Sequence, residues 1–165
     1  MSILFLDIDG VLNGHQKTGR IDQHCMANLN YVIEQTGCVI VISSSWRYMI
    51  PEAMNIQGFE YMLVTHGFKG KVKGITVRDE VICKREDQIL DYAKQRNMQW
   101  AVVDDLPLQI DNFVRTDGQL GLQHHDAIKL IQILTRKNMD RELLRDETYR
   151  KLIARSDAIK AGKAD

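Results

Sequence analysis

The stretch LFLDIDGVLN, residues 4–13, leads an apolar run directly into two carboxylates. Asp7 and Asp9 are separated by one residue, and Gly10 then allows the chain to turn sharply. The apolar residues are typical of a buried strand. Carboxylates at the end of such a strand lose water at a cost in free energy unless another group compensates their charge. We therefore expect other parts of the chain to bring a metal ion or a basic side chain to this point.

Two later apolar runs also end in polar clusters. CVIVI, residues 38–42, is followed by three serines, and residues 99–103 are followed by Asp104 and Asp105. Continuous apolar strands that alternate with helices predict an α/β fold in which helices cover both faces of a parallel sheet. Because parallel strands end at the same edge of a sheet, the three polar clusters should meet in one crevice, where such sheets bind ligands.

The remaining elements follow from apolar periodicity. Strands are predicted at residues 2–6, 38–42, 61–65, 99–103 and 112–116, and helices at residues 22–35, 46–56, 84–97 and 126–137. Residues 67–74, GFKGKVKG, are predicted to form a flexible basic loop that is either solvated or in contact with a phosphate backbone.

Length and net charge limit the number of domains and the kinds of partner that the chain can have. The chain has 165 residues, of which 44% are hydrophobic, and this suits a single core. We expect one domain over residues 1–137 and a charged helical tail over residues 138–165. The formal net charge is +0, so no overall field directs the protein to nucleic acid or to a membrane.

Cysteine usage and the N-terminal residues favour a cytoplasmic protein. Cys25, Cys38 and Cys83 form no CxxC pair, which argues against a structural zinc site and against a disulfide framework. The N-terminal apolar run lacks a preceding basic region and is broken by Asp7, and no apolar stretch is long enough to span a bilayer. We expect a cytoplasmic location, reduced thiols and no membrane partner.

The predicted crevice combines carboxylates, hydroxyls and a cation. Carboxylates gathered in one place repel one another, and their hard oxygen atoms suit Mg²⁺. A divalent ion and a cation together would hold a phosphoryl group, and a carboxylate can act as a nucleophile through an aspartyl-phosphate. The groups concerned are Asp7, Asp9, Asp104 and Asp105, Ser43 and Ser44, and Lys84 or Arg85.

Taken together, these motifs resemble those of the haloacid dehalogenase (HAD) superfamily of phosphatases. DIDGVLN resembles the first motif, VISSSWR the second, the basic pair Lys84-Arg85 the third and VVDDLP the fourth. VISSSWR, REDQIL and FVRTDGQLGL also resemble a small HAD subgroup associated with nucleic-acid repair proteins. The resemblance covers roughly residues 1–136 and implies a Rossmann-like three-layer sandwich with a central parallel sheet.

The resemblance implies a role for each motif residue. Asp7 would be the nucleophile, and Asp9 would be the general acid and then the general base. Aspartate at this second position favours a phosphatase. Ser43 would bind the phosphoryl group, with Ser44 as the alternative, and we favour Ser43 because it ends the apolar run.

The resemblance also implies a Mg²⁺ cofactor. Asp105 is favoured as the side-chain ligand from the acidic pair, while Asp104 would aid the metal or anchor the lysine of the third motif. The implied ligands are Asp7, Asp9, Asp104 and Asp105.

The cation and the substrate contacts have open alternatives. The superfamily usually uses a lysine, which favours Lys84, whereas the subgroup pattern allows Arg85. Arg47 and Asn13 are candidate substrate contacts or supports of the site, and Arg47 is alternatively a solvated residue at a helix start.

The gaps between motifs predict an enzyme without a large cap domain. Residues 14–38 and 48–83 are too few for one, so the site should be open to bulky substrates. The leading hypothesis is a Mg²⁺-dependent phosphomonoester hydrolase acting on a nucleotide or a nucleic-acid end. The alternatives are a small-molecule phosphatase and a non-catalytic phosphate-binding module, and the sequence leaves the physiological substrate and the oligomeric state open.

Overall fold

The computed structural model describes residues 1–15, 20–44, 55–76, 84–143, 154–155 and 162. Strands and helices alternate along most of this part of the chain. The elements are β1 (Ser2–Leu6), α1 (Gln23–Thr36), β2 (Val39–Ile42), α2 (Asn55–Val64), β3 (Val72–Ile75), α3 (Arg85–Lys94), β4 (Gln99–Asp104), β5 (Phe113–Arg115) and α4 (His124–Leu143).

The five strands form one parallel sheet in the order β3-β2-β1-β4-β5. The central strand β1 pairs with both β2 and β4, so that Leu4 lies opposite Ile40 on one side and Ala101 on the other. All strands therefore end at the same edge, which we call the carboxyl edge. The predicted α/β sandwich with a central parallel sheet is confirmed.

Side chains that alternate along β1 divide the core between the two faces of the sheet. Leu4 and Leu6 share a buried cluster with side chains of α1, α2 and α4. Ile3 and Phe5 belong to a second cluster, which includes Ile89 of α3. A strand that is apolar on both faces must be covered on both, and this explains why β1 is continuously hydrophobic.

Helix α1 has a clear sequence signal at each end. Asp22 is the N-cap, and its carboxylate accepts hydrogen bonds from the backbone N–H groups of His24 at 2.8 Å and Cys25 at 3.4 Å. Gly37 ends the helix in the left-handed conformation with φ 66°, and its N–H donates to the carbonyl of Ile33. The helix lies within one residue of its predicted bounds because both caps are encoded locally.

Two of the predictions for residues 57–83 are wrong. Residues 61–64 belong to helix α2, not to a strand, and Phe59 and Leu63 are both buried at the i, i+4 spacing of a helix. Residues 72–75 form strand β3 instead of the end of a basic loop. Residues 46–54 of the helix predicted at 46–56 lie outside the described residues.

The basic loop lies at the opposite edge of the sheet from Asp7. Residues 67–71 precede β3, and β3 runs parallel to β2, so this segment is at the amino edge. Lys69 and Lys71 therefore cannot contact a phosphate held at the carboxyl edge beside Asp7.

The described residues contain no large cap domain, as the motif spacing predicts. Between β1 and α1 they form a short loop, and between β2 and β3 they include α2, which packs beside β3.

The chain forms two compact units, Met1–Leu134 and Thr135–Asp165. The domain boundary predicted after residue 137 stays a prediction. Among the described helices of either unit, none combines the length and the hydropathy needed to cross a membrane.

Candidate active site

The ends of β1 and β4 bring two buried carboxylates to the carboxyl edge. Asp7 directly follows β1, and its N–H donates to the carbonyl of Val103 at 3.2 Å, which continues the ladder between the strands. Asp104 is the last residue of β4. Both side chains are buried, so their positions are set by the sheet and not by a mobile loop.

The two serines of the second motif lie at the same edge, directly after β2. Ser43 donates its N–H to the carbonyl of Leu6 at 3.0 Å and is buried, as is Ser44. Their assignment to a phosphoryl group, and the choice between them, stay predictions.

Asp105 joins Asp7 and Asp104 in a cluster of three carboxylates. One oxygen atom from each lies within 4.8 Å of the others. Gly10 makes this approach possible, because an added Cβ would lie 2.5 Å from Cγ of Asp105 and the backbone has φ 82°. A glycine at this position thus serves both the turn and the packing of Asp105.

Arg85 supplies the cation of the site. Its Nη1 atom lies 2.7 Å from Oδ2 of Asp104 and 3.5 Å from Oδ1 of Asp7, and its side chain is 18% exposed. Lys84, the N-cap residue of α3, is exposed. Of the two candidates, the structure brings Arg85 to the carboxylates, and Asp104 pairs with this arginine rather than with the lysine that the superfamily usually has at the third motif.

Burial raises the pKa values of both Asp7 and Asp104. Burial, followed by the charge of Asp104, raises the pKa of Asp7 from 3.8 to about 9, although Arg85 acts in the opposite direction. Burial also raises the pKa of Asp104, and Arg85 again opposes the shift. One guanidinium therefore compensates the two carboxylates only in part.

The donor set fits Mg²⁺. Three carboxylates supply hard oxygen ligands, and burial, by raising the pKa of Asp7, disfavours its ionised form unless positive charge is brought close to it. Asp9 was also a predicted ligand, but among the described residues its carboxylate is outside this cluster. The Oδ1 atom of Asp9 accepts a hydrogen bond from Asn13 at 2.9 Å.

Asn13 supports the loop that follows β1. It is fully buried, and its Nδ2 atom donates to Asp9 and, at 2.7 Å, to the carbonyl of Arg20. Its Oδ1 atom accepts from the N–H of Gly10 at 2.9 Å. Of the two alternatives for Asn13, the geometry supports the structural one. Arg47 lies outside the described residues.

Three further residues contact the motif residues of the site, and two of them, Arg115 and Thr116, lie in the FVRTDGQLGL segment. The Nε2 atom of His15 lies 2.6 Å from Oδ2 of Asp105. Arg115 donates from Nε to the carbonyl of Asp105 at 2.9 Å, and Thr116 donates from its hydroxyl to the carbonyl of Gly10 at 2.6 Å. The contacts of His15 and Thr116 join residues 90 and 106 positions apart, so local sequence could not indicate them, whereas Arg115 is 10 positions from Asp105.

Comparison with known proteins agrees with the geometry. A family model described as the HAD domain in Swiss Army Knife RNA repair proteins matches residues 3–127. No curated protein and no solved structure matches the chain. The matched residues include all four motifs and the cluster of carboxylates, and the expected superfamily and subgroup are confirmed. The chain therefore belongs to the HAD superfamily, in the family of HAD domains of Swiss Army Knife RNA repair proteins.

Proposed function

We propose that this chain is a Mg²⁺-dependent phosphomonoester hydrolase that removes a phosphate from an RNA end. The observation that carries the proposal is the position of Asp7. Its carboxylate follows a central strand, lies 3.5 Å from a guanidinium nitrogen of Arg85 and shares a cluster with Asp104 and Asp105. A nucleophile, a cation and a ligand set for a metal are thus combined at one sheet edge.

In the first step, an oxygen of Asp7 attacks the phosphorus, and the bond between phosphorus and the ester oxygen breaks. Asp9 donates a proton to that leaving oxygen. In the second step, Asp9 accepts a proton from water, whose oxygen attacks the phosphorus of the phospho-aspartate. The bond between phosphorus and Asp7 then breaks, which releases inorganic phosphate and restores both carboxyl groups.

Neighbouring residues prepare these two carboxyl groups. Asn13 fixes Asp9 through the hydrogen bond to Oδ1, so the proton donor has a defined place two residues beyond the nucleophile. Arg85 favours the ionised form of Asp7 and offers a cation to the phosphoryl oxygens. Mg²⁺ bound by Asp7, Asp104 and Asp105 would supply the further positive charge that draws electrons from the phosphoryl group.

Two features support a polynucleotide as the substrate. The described residues contain no large cap domain at the carboxyl edge, an arrangement that suits a long substrate. Arg115, at the end of β5, is exposed, and its Nε hydrogen bond to the main chain of Asp105 holds the guanidinium beside the site. A cation at this place suits a phosphate of the backbone next to the reacting one.

A substrate screen tests the proposal. Phosphate release is measured with p-nitrophenyl phosphate, mononucleotides, sugar phosphates and other phosphorylated metabolites, and 3′- or 5′-phosphorylated oligoribonucleotides, each with Mg²⁺ and with EDTA. We expect Mg²⁺-dependent release that is fastest for one type of RNA end. Arg115→Ala should raise KM for the oligonucleotide more than for p-nitrophenyl phosphate. Arg96→Ala is the matched control, since Arg96 lies over the ring of Tyr92 after helix α3.

Two other outcomes of the screen would support one of the alternative functions. Faster release from sugar phosphates or other metabolites than from any RNA end would indicate a small-molecule phosphatase. Binding of phosphate without any turnover would indicate a non-catalytic module of the same fold.

A further inference from the structure

His15 makes a short polar contact with one of the clustered carboxylates. Its Nε2 atom lies 2.6 Å from Oδ2 of Asp105, whose side chain is only 10% exposed, whereas the His15 side chain is 48% exposed. The imidazole thus covers the solvent side of a carboxylate that belongs to the candidate metal site.

The backbone holds this imidazole in place. The N–H of His15 donates to the carbonyl of Gly118 at 2.8 Å. A Cβ at Gly118 would overlap the imidazole ring, and a Cβ at Gly14 would overlap the carbonyl of Gln119. Two glycines therefore permit the loop after β1 and the loop after β5 to pack closely enough for His15 to reach Asp105.

Asp105 is consequently restrained at two points. Its carbonyl accepts from Nε of Arg115 at 2.9 Å, and its Oδ2 atom contacts His15. One contact restrains the main chain of Asp105 and the other its carboxylate, and together they limit the orientations that the carboxylate can take toward Asp7 and Asp104. Groups that hold a metal ligand by hydrogen bonds commonly decide its affinity, and their loss costs about 10–100-fold in metal binding.

We propose that His15 is a positioning residue that orients the carboxylate of Asp105 for the divalent cation. This inference rests on the proposed function, because it requires Asp105 to be a metal ligand. It adds a residue outside the motif positions and assigns a task to the loop contact between Gly14-His15 and Gly118-Gln119.

Direct metal binding tests the role of His15 without reliance on turnover. Mn²⁺ is titrated into the full chain, and free Mn²⁺ is followed by electron paramagnetic resonance. His15→Phe keeps an aromatic ring but removes the hydrogen-bonding nitrogen, and His15→Gln keeps a donor at a similar distance. We expect about 10–100-fold weaker binding for His15→Phe and binding close to wild type for His15→Gln.

The control is His125→Ala. His125 is also an exposed histidine that pairs with an aspartate, at 3.2 Å from Asp126, but it is not part of the carboxylate cluster. Its replacement should leave Mn²⁺ affinity unchanged. Thermal unfolding in EDTA verifies that each variant is folded before titration.

The outcomes separate this inference from the proposed function. If wild type binds Mn²⁺ and His15→Phe binds it equally well, the positioning role is wrong while the metal site stands. Equal weakening in His15→Phe and His15→Gln would also overturn it, because the donor would then not matter. If wild type binds no Mn²⁺, the metal dependence of the proposed function fails, and the role of His15 fails with it.

Discussion

Nη1 of Arg85, the first residue of α3, lies 2.7 Å from Oδ2 of Asp104, the last residue of β4. The same nitrogen lies 3.5 Å from Asp7, so one guanidinium is shared by two buried carboxylates. Removal of Arg85 would leave both without this cation. This arrangement makes Arg85 important for both stability and catalysis.

Arg85→Ala should lower the free energy of unfolding by about 3 kcal/mol, because it breaks a largely buried ion pair and leaves a carboxylate behind. The rate of phosphate release should fall by about 100-fold or more, as for the loss of one electrostatic contact to a transition state. Urea unfolding and initial rates measure the two effects. Lys84→Ala provides the comparison, and a larger loss of rate in that variant than in Arg85→Ala would show that the wrong cation has been assigned.

The raised pKa of Asp7 predicts how the stability of the metal-free protein depends on pH. The carboxyl group keeps its proton up to about pH 9 in the folded state and releases it near 3.8 in the unfolded state. Between these values the folded state binds more protons, so the contribution of Asp7 to the free energy of unfolding falls as pH rises. Asp104, whose pKa is also raised, acts with the same sign.

Asp7→Asn should therefore raise the melting temperature in EDTA, and its advantage over wild type should grow from pH 5 to pH 9. Thermal unfolding at a series of pH values measures this difference. Added Mg²⁺ should stabilise wild type more at the higher pH, since the cation competes with the proton. A difference between the two proteins that does not change with pH would contradict a raised pKa.

Gly10→Ala should impair the site beyond the ordinary cost of its backbone conformation. A left-handed alanine costs about 1–2 kcal/mol, and the new Cβ would also displace Asp105. Gly37→Ala is the matched control, since Gly37 has φ 66° and no atom lies within 4 Å of an added Cβ. Calorimetry and Mn²⁺ titration should show destabilisation in both variants but weaker metal binding only for Gly10→Ala. Equal metal binding in the two would refute the close packing of Gly10 on Asp105.

Asn13→Ala should reduce kcat more than it raises KM, because Asn13 positions the proton donor and is fully buried. The unpaired N–H of Gly10 should in addition cost about 1–3 kcal/mol of stability. Asn28→Ala serves as the control, since Asn28 is a buried asparagine that bonds the carbonyl of Leu122 at 2.9 Å. Both variants should lose stability, but kcat should fall only in Asn13→Ala. A rise in KM alone would instead indicate that Asn13 contacts the substrate.

The sequence is most informative where a strand is buried on both faces. Residues 2–6 are predicted as a strand with the bounds that the structure shows, and the polar residues that follow it lie at the carboxyl edge as expected. In a parallel sheet, the residues that follow neighbouring strands lie close together in space although they are far apart along the chain. For this reason Asp7, Asp104 and Asp105 could be placed together before any geometry was known.

The sequence is least informative where a short apolar segment fits the period of a helix as well as that of a strand, and where a contact joins residues that are far apart along the chain. Residues 61–65 are apolar enough for a strand, but packing of Phe59 and Leu63 on the sheet places residues 61–64 in a helix. Strand β3 contains Lys73 and Gly74, and because both residue types are uncommon in strands, the sequence does not indicate a strand here. An added Cβ at Gly74 would overlap Tyr92, so the packing favours glycine at this position. His15 meets Asp105 across 90 residues, a contact that only the tertiary structure creates.

The central claim is that Asp7 accepts the phosphoryl group. Rapid acid quenching of a single turnover with a ³²P-labelled phosphorylated oligoribonucleotide tests it most directly. We expect transient label on the protein that is removed by hydroxylamine, maps to Asp7 and is absent in Asp7→Asn, which should also lack turnover. Phosphate release without labelled Asp7, together with normal turnover in Asp7→Asn, would contradict the account.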